Sequence, residues 1–220
     1  MAALIIVLLL LGAIVTLAIL NAINRKKTEQ ERTRALRSKA EAMDWEFEPA
    51  VEADSIAGIE RFALFDLGHD KQIKNMMYGE VDGARTTMFD YVYTLGVKRR
   101  TTFFQTVVLF EPEGQKFPEF VLRPEGAFDK MFSAFGYQDI DFPQRPEFSR
   151  QYILRGEDEP AIRRIFNDDL FSFYESNPGT FTDAGDNQLF IYRTHNRPAP
   201  GEIDSYIGTG LQILDLMRTN

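Results

Sequence analysis

The side chains equipped for chemistry are few and scattered. Asp139, Asp141, Glu147, Glu157, Asp158 and Glu159 form an acid-rich string whose oxygens suit a hard cation. The string lacks the tight spacing and the obligatory glycine of a calcium loop, so it reads as solvated turns and helix caps. Arg123 with Glu125, and Arg155 beside Glu157, have the parts of an anion clamp, but arginine–carboxylate pairs of this kind more often fix loops. In Asp139-Ile140-Asp141-Phe142 an extended chain puts both aspartates on one face and the apolar pair on the other. Ile140, Phe142 and Phe148 are therefore expected to pin this loop to a core, with the aspartates meeting Arg123, Arg145, Arg150 or Arg155. His69 and Asp70 are the residue types of an acid–base pair, yet sequence neighbours in a loop point apart and no nucleophile stands at a recognised spacing. Gly79, Gly83, Gly114, Gly126 and Gly156 are isolated turn glycines, outside any nucleotide-binding fingerprint. Cysteine is absent and the two histidines, His69 and His195, lie far apart. No catalytic set, metal site or cofactor is expected.

The elements that must position these residues divide the chain in three. Its 220 residues are 44% hydrophobic and 26% charged, a globular balance. The net charge of −8 argues against a nucleic-acid partner, which needs basic excess to neutralise phosphates. Residues 1–24 hold no charged side chain, and the apolar run over residues 2–23 is long enough to cross a hydrocarbon core about 30 Å thick. No Lys or Arg precedes that run, which favours an anchor over a cleaved signal peptide. Residues 25–43 then carry seven basic and three acidic side chains, beginning with the collar Arg25, Lys26 and Lys27. Residues 44–220 carry eighteen basic and thirty acidic ones. Positive residues flanking a span stay on the cytoplasmic side, so a single-pass protein of the inner membrane with a cytoplasmic C-terminal domain is expected. The stretch from Thr28 to Met43 has no Gly or Pro and continues as a helix. Its narrow stripe of Ala35, Leu36, Ala40 and Met43 suits a solvated stalk better than a coiled-coil seam.

Beyond Asp44 the pattern is mixed. Residues 45–47 and 62–67 read as short strands, and residues 73–120 as an antiparallel meander in which Phe89, Tyr91 and Tyr93 share one face. Residues 127–135 suggest a short amphipathic helix carrying Phe128, Met131, Phe132 and Phe135. A strand follows near residues 151–154, then two helices begun by Asp158 and Asn167, a hairpin around residues 184–187, and a C-terminal helix using Ile203, Ile207, Leu211 and Leu214. Clustered strands with interspersed short helices give an α+β fold with a mainly antiparallel sheet. The aromatic content, with Phe103 and Phe104 beside polar residues, is expected to fill the core, part of it facing a partner.

Several phrases resemble a group of bacterial proteins of unknown function: Phe89-Asp90-Tyr91-Val92-Tyr93-Thr94, Gln105-Thr106-Val107-Val108-Leu109, Phe120-Val121-Leu122-Arg123-Pro124-Glu125, and Asp139-Ile140-Asp141-Phe142 through Pro146-Glu147-Phe148-Ser149. The resemblance spans roughly residues 60–215. It implies an N-terminal membrane helix and one cytoplasmic α+β domain, and no reaction. The expected function is a membrane-tethered interaction or scaffold module, held in the bilayer through residues 2–23 and contacting a protein partner. Copies of the chain are further expected to associate through the membrane helix or stalk. The alternative is a domain binding lipid headgroups or a small ligand at the membrane surface through the stalk's basic residues.

Overall fold

The computed structural model describes residues 2–52, 55–126 and 139–218. Helix α1 (Ala2–Ala42) is continuous over 41 residues, about 60 Å at the usual rise. The strands are β1 (Glu46–Val51), β2 (His69–Val81), β3 (Ala84–Leu95), β4 (Thr101–Pro112), β5 (Phe117–Pro124), β6 (Tyr152–Gly156), β7 (Phe181–Asp186) and β8 (Gln188–Tyr192). The shorter helices are α2 (Ala63–Asp66), α3 (Pro146–Gln151), α4 (Glu159–Ile165), α5 (Asp168–Ser176) and α6 (Ile203–Arg218). All eight strands form one antiparallel sheet in the order β1-β2-β3-β4-β8-β7-β5-β6. The fold is α+β.

The sheet is covered on both faces. Leu36 and Ala40 of α1, with residues of α3–α6, pack on one face against Met77, Met88, Val108, Leu122 and Ile191. On the other, Ile59, Phe62, Ala63, Leu64, Phe65 and Leu67 cover Phe89, Tyr91, Tyr93, Val107 and Phe190. Two-sided burial explains why β4 carries the unbroken run Val107-Val108-Leu109-Phe110, with every side chain buried. The period-2 aromatic face of β3 forms as expected, and Tyr91 stacks on Tyr93, which stacks on Phe103. Between β2 and β3, Asp82 (φ 50°) and Gly83 (φ 69°) make a two-residue turn in the left-handed region, the geometry that suits hairpin twist. Asp158 and Asn167 cap α4 and α5 through hydrogen bonds from the Ala161 and Leu170 N–H groups.

Three expectations need correction. Residues 62–67 are not a strand: a 3-10 turn (Ile59–Arg61) leads into α2. Phe62, Ala63, Leu64, Phe65 and Leu67 are buried against the aromatic sheet face and Asp66 is left exposed; a short apolar run of this kind suits a strand or a buried helix equally. The meander stops at β4. Strands β8 and β7 occupy the place beside it, with Val107–Phe110 in register against Tyr192–Leu189, so β5 lies three strands away. Residues 25–43 are not a solvated stalk, since Leu36 and Ala40 are fully buried on the sheet and only Ala35 of the expected stripe faces out with no core contact. The helix expected over residues 127–135 lies outside the described residues.

Gly210 marks how closely α6 approaches the sheet: a Cβ there would stand 2.5 Å from Phe110 Cε2. Gly210→Ala is expected to destabilise the full chain in detergent by about 1–3 kcal/mol through overpacking, measured as a lowered urea midpoint with an unchanged slope.

Candidate functional site

The most heavily engaged polar site joins α1 to the sheet. Period 2 along β3 turns Asp90 away from the Phe89–Tyr91–Tyr93 face and towards α1. Its side chain is 2% exposed. Arg32 of α1 grips it with both ends of the guanidinium: Nε donates to Oδ2 and Nη2 to Oδ1, each at 2.8 Å. Arg197 Nη2 donates to Oδ2 at 3.0 Å, Asn75 Nδ2 to the same oxygen at 2.8 Å, and Thr106 Oγ1 to Oδ1 at 2.7 Å. Asn75 reaches it because β2 breaks register between Lys74 and Met77, where Asn75 adopts a left-handed φ of 52°. Arg197 also holds Glu29 of α1 with two bonds, at 2.7 and 2.9 Å. Arg32 Nη1 donates to the Pro198 carbonyl at 2.7 Å, and Lys39 pairs with Asp204 at the start of α6. Burial pushes the Asp90 carboxyl up, but the hydrogen bonds and charge of Arg32, with Arg197 and Asn75, outweigh it and hold the group below the usual carboxylate range. The Arg197 hydrogen bond likewise lowers Glu29. This arrangement binds charge tightly and leaves no reactive group open; its capability is mechanical, fixing a helix to a sheet.

A second polar cluster lies on the opposite face, at β5, β6 and β7. Arg123 and Asp183 are both buried there, beside a cavity of about 30 Å³ lined by Arg61, Ala63, Val121, Arg123 and Arg155. That space holds one or two waters. Asp183 Oδ2 accepts from the Leu64 N–H at 3.4 Å. Burial pushes the Asp183 carboxyl up to about 7, opposed only by that N–H and the charge of Arg123.

The loop singled out by its acidic residues is arranged otherwise than expected. Ile140, Phe142 and Phe148 are buried and pin it to the core. Asp139 Oδ1, however, accepts from the Leu154 N–H at 2.9 Å, and Asp139 bridges to Arg155 through the backbone. The Asp141 side chain is exposed, and its carbonyl accepts from Arg163 at 2.9 Å. Arg145 pairs with Asp168 of α5 at 2.7 Å and Arg150 with Glu147 within α3, so these arginines meet other carboxylates than Asp139 or Asp141. Glu125 is exposed, its N–H bonded to the Gln151 carbonyl. Arg25, Lys26 and Lys27 are exposed on α1 just before the junction. Among the described residues, no group of three His, Asp or Glu is placed to hold a metal ion.

Sequence reasoning passed over Glu29, Asp90 and Arg197, and placed Arg32 in a free stalk. One signal was available: Asp90 is the lone charge inside Met88-Phe89-Asp90-Tyr91-Val92-Tyr93, and a charge within an apolar strand requires a partner.

No family model and no curated protein matches the chain. Among solved structures it is similar to the crystal structure of the mycobacterial trehalose monomycolate transport factor A, TtfA. The TM-score is 0.60 at 15% identity, covering 85% of this chain and 94% of that one. The likeness is one of fold.

Three variants separate the two buried aspartates from each other and from an exposed one. Asp90→Asn leaves Arg32 and Arg197 facing a neutral amide and is expected to cost about 3 kcal/mol by urea titration in detergent, while Asp141→Ala, at an exposed side chain, changes stability by less than about 0.5 kcal/mol. Asp183 has a folded pKa of about 7, above the unfolded value of about 3.9. The folded state therefore binds more protons between those values, and the contribution of Asp183 is fully present below pH 4 and lost as pH rises towards 7. Asp183→Asn is expected to match the wild type near pH 4 and to be the more stable protein at pH 8, as read from urea midpoints across that range.

Proposed function

We propose that the chain is a single-pass protein of the inner membrane. In this reading residues 2–23 cross the bilayer, residues 25–43 form a basic juxtamembrane helix, and the domain over residues 44–220 stands in the cytoplasm. The domain works without chemistry of its own, as an adaptor that holds a protein partner lying in the same membrane. The observation that carries this reading is the junction at Asp90: α1 is long and apolar enough to cross a membrane, and the same helix is clamped into the sheet through Arg32 and Glu29. A helix so fixed transmits position, which is what an adaptor needs and an enzyme on a flexible leash does not. The collar of Arg25, Lys26 and Lys27 supports the cytoplasmic orientation.

The fold likeness supports a finer version. TtfA is named as a transport factor for trehalose monomycolate, and the alignment reaches over nearly all of that chain. The partner proposed here is accordingly a protein of lipid transport in the same membrane. Headgroup binding along the stalk has less to work with, because Arg32 and Lys39 are already engaged with Asp90 and Asp204.

A reporter fused after Asn220 is expected to be active only in the cytoplasm. Photocrosslinking in intact membranes is expected to capture a membrane protein of lipid transport with the wild type and to lose most of it with Asp90→Asn. A reporter active only outside, or crosslinks confined to lipid and to copies of the chain, would overturn the proposal.

A further inference from the structure

Hydrophobic exposure among the described residues gathers in two places. Among the described residues, the exposed large apolar side chains are those of α1 between Leu9 and Ile23, together with Val97, 87% exposed, and Phe104, 42% exposed. Val97 and Phe104 belong to one hairpin, the β3–β4 turn and the strand that leaves it. Lys98, Arg99 and Arg100 lie beside them, all exposed; no acidic residue occurs from Gly96 to Phe104, and the acidic neighbour described there is the exposed Asp70 of β2, 3.4 Å from Arg100. The domain as a whole is strongly acidic, so this apolar, cationic tip is an exception on its surface. Gly96, at φ 79°, keeps the turn tight: a Cβ there would meet the Arg99 carbonyl oxygen at 2.4 Å.

The register of α1 against β3 says where the tip points. Arg32 is level with Asp90 through their paired bonds. At the far end Trp45, whose N–H bonds the Ala40 carbonyl, packs over Gly79, which pairs with Thr86. From Arg32 to Ala40 the helix rises about 12 Å, and from Asp90 back to Thr86 the strand covers about 13 Å. The two elements thus run side by side in opposite directions, and β3 heads towards the N-terminal half of α1. From Asp90 to Leu95 it advances about 17 Å, whereas Arg32 stands only about 10 Å from Arg25. Even with a strand tilt of tens of degrees, the tip reaches the level of Arg25, Lys26 and Lys27, where α1 leaves its apolar stretch.

We infer that the β3–β4 hairpin tip is a second membrane contact: Val97 and Phe104 dip into the headgroup layer of the bilayer that α1 crosses, and Lys98, Arg99 and Arg100 meet anionic phospholipid. Apolar side chains flanked by cations are the composition that binds such an interface, and one contact supports another when both are on a rigid body. This rests on α1 crossing the bilayer, which resistance to alkaline extraction tests separately, and it is independent of any protein partner.

The chain has no cysteine, so single labels are site-specific. Val97→Cys carrying an environment-sensitive fluorophore, in the full chain reconstituted into phosphatidylcholine vesicles containing a third phosphatidylglycerol, is expected to show a blue-shifted, brighter emission. The same label at Glu113→Cys, exposed at the opposite end of β4, is expected to remain water-like. Charge reversal of Lys98, Arg99 and Arg100 to Glu, or pure phosphatidylcholine vesicles, is expected to reduce the shift at position 97 at least twofold, with the thermal midpoint of the reversed variant confirming that it folds. Emission at 97 equal to that at 113 in anionic vesicles would overturn the contact. A full shift that survives both charge reversal and the loss of anionic lipid would overturn the assignment to anionic phospholipid.

Discussion

Asp90 is the constraint from which the junction between helix and sheet follows. An ionised carboxylate inside a sheet costs several kcal/mol unless opposite charge and donors meet it there. Its donors come from four separate parts of the chain: Arg32 from α1, Asn75 from a bulge in β2, Thr106 from β4, and Arg197 from the segment after β8. Satisfying one side chain therefore requires the helix, two neighbouring strands and the C-terminal segment to be in place together. Removing any of them leaves charge stranded in the others. The C-terminal half of α1 is on this account a member of the domain's cooperative unit, and the apolar burial of Leu36 and Ala40 on the same helix face adds to it.

Asp183 shows what happens to the same residue type when such partners are missing. It is as deeply buried as Asp90, on the other face of the same sheet. Its described hydrogen bond is a long one from a backbone N–H, and Arg123 contributes less than that bond does. Desolvation wins, and the group is held towards its neutral form. Around Asp90, two arginines and an amide tip the balance the other way. Burial alone predicts neither outcome; the count and geometry of donors decide it.

What the sequence makes legible follows from which forces are local. The apolar run of α1, the aromatic alternation of β3, and the caps at Asp158 and Asn167 are read from neighbouring residues, and they stand where expected. Residues 62–67 read as a strand because Phe62-Ala63-Leu64-Phe65 is a continuous apolar run, which without a period suits a strand or a buried helix equally. The strand order was misread because β8 displaces β5 from the edge of β4 through contacts some eighty residues distant in sequence. The arginines near Asp139 and Asp141 illustrate the same limit. Opposite charges close in sequence suggest pairing, yet Arg145 and Arg150 find Asp168 and Glu147, which their helical settings bring nearer. Arg32 looked like one more cation in a basic stalk, and only the placement of Asp90 opposite it gives it a separate role.

One helix with two surface patterns sets the geometry of the whole molecule. Along α1 the apolar side chains go from all sides, over residues 9–23, to the single stripe of Leu36, Ala40 and Met43. The first pattern suits lipid and the second suits a sheet face. The change is complete by Glu29, which already contacts Arg197, so only about five residues, or some 8 Å of helix, separate the two patterns. From Ala13 to Ala42 the helix contains no glycine or proline at which to bend. With a flexible linker the sheet would sample every orientation above a bilayer. With this helix, any tilt imposed on its apolar half becomes a tilt of the sheet, and the end of the sheet that carries the β3–β4 turn is always the end nearest the apolar half.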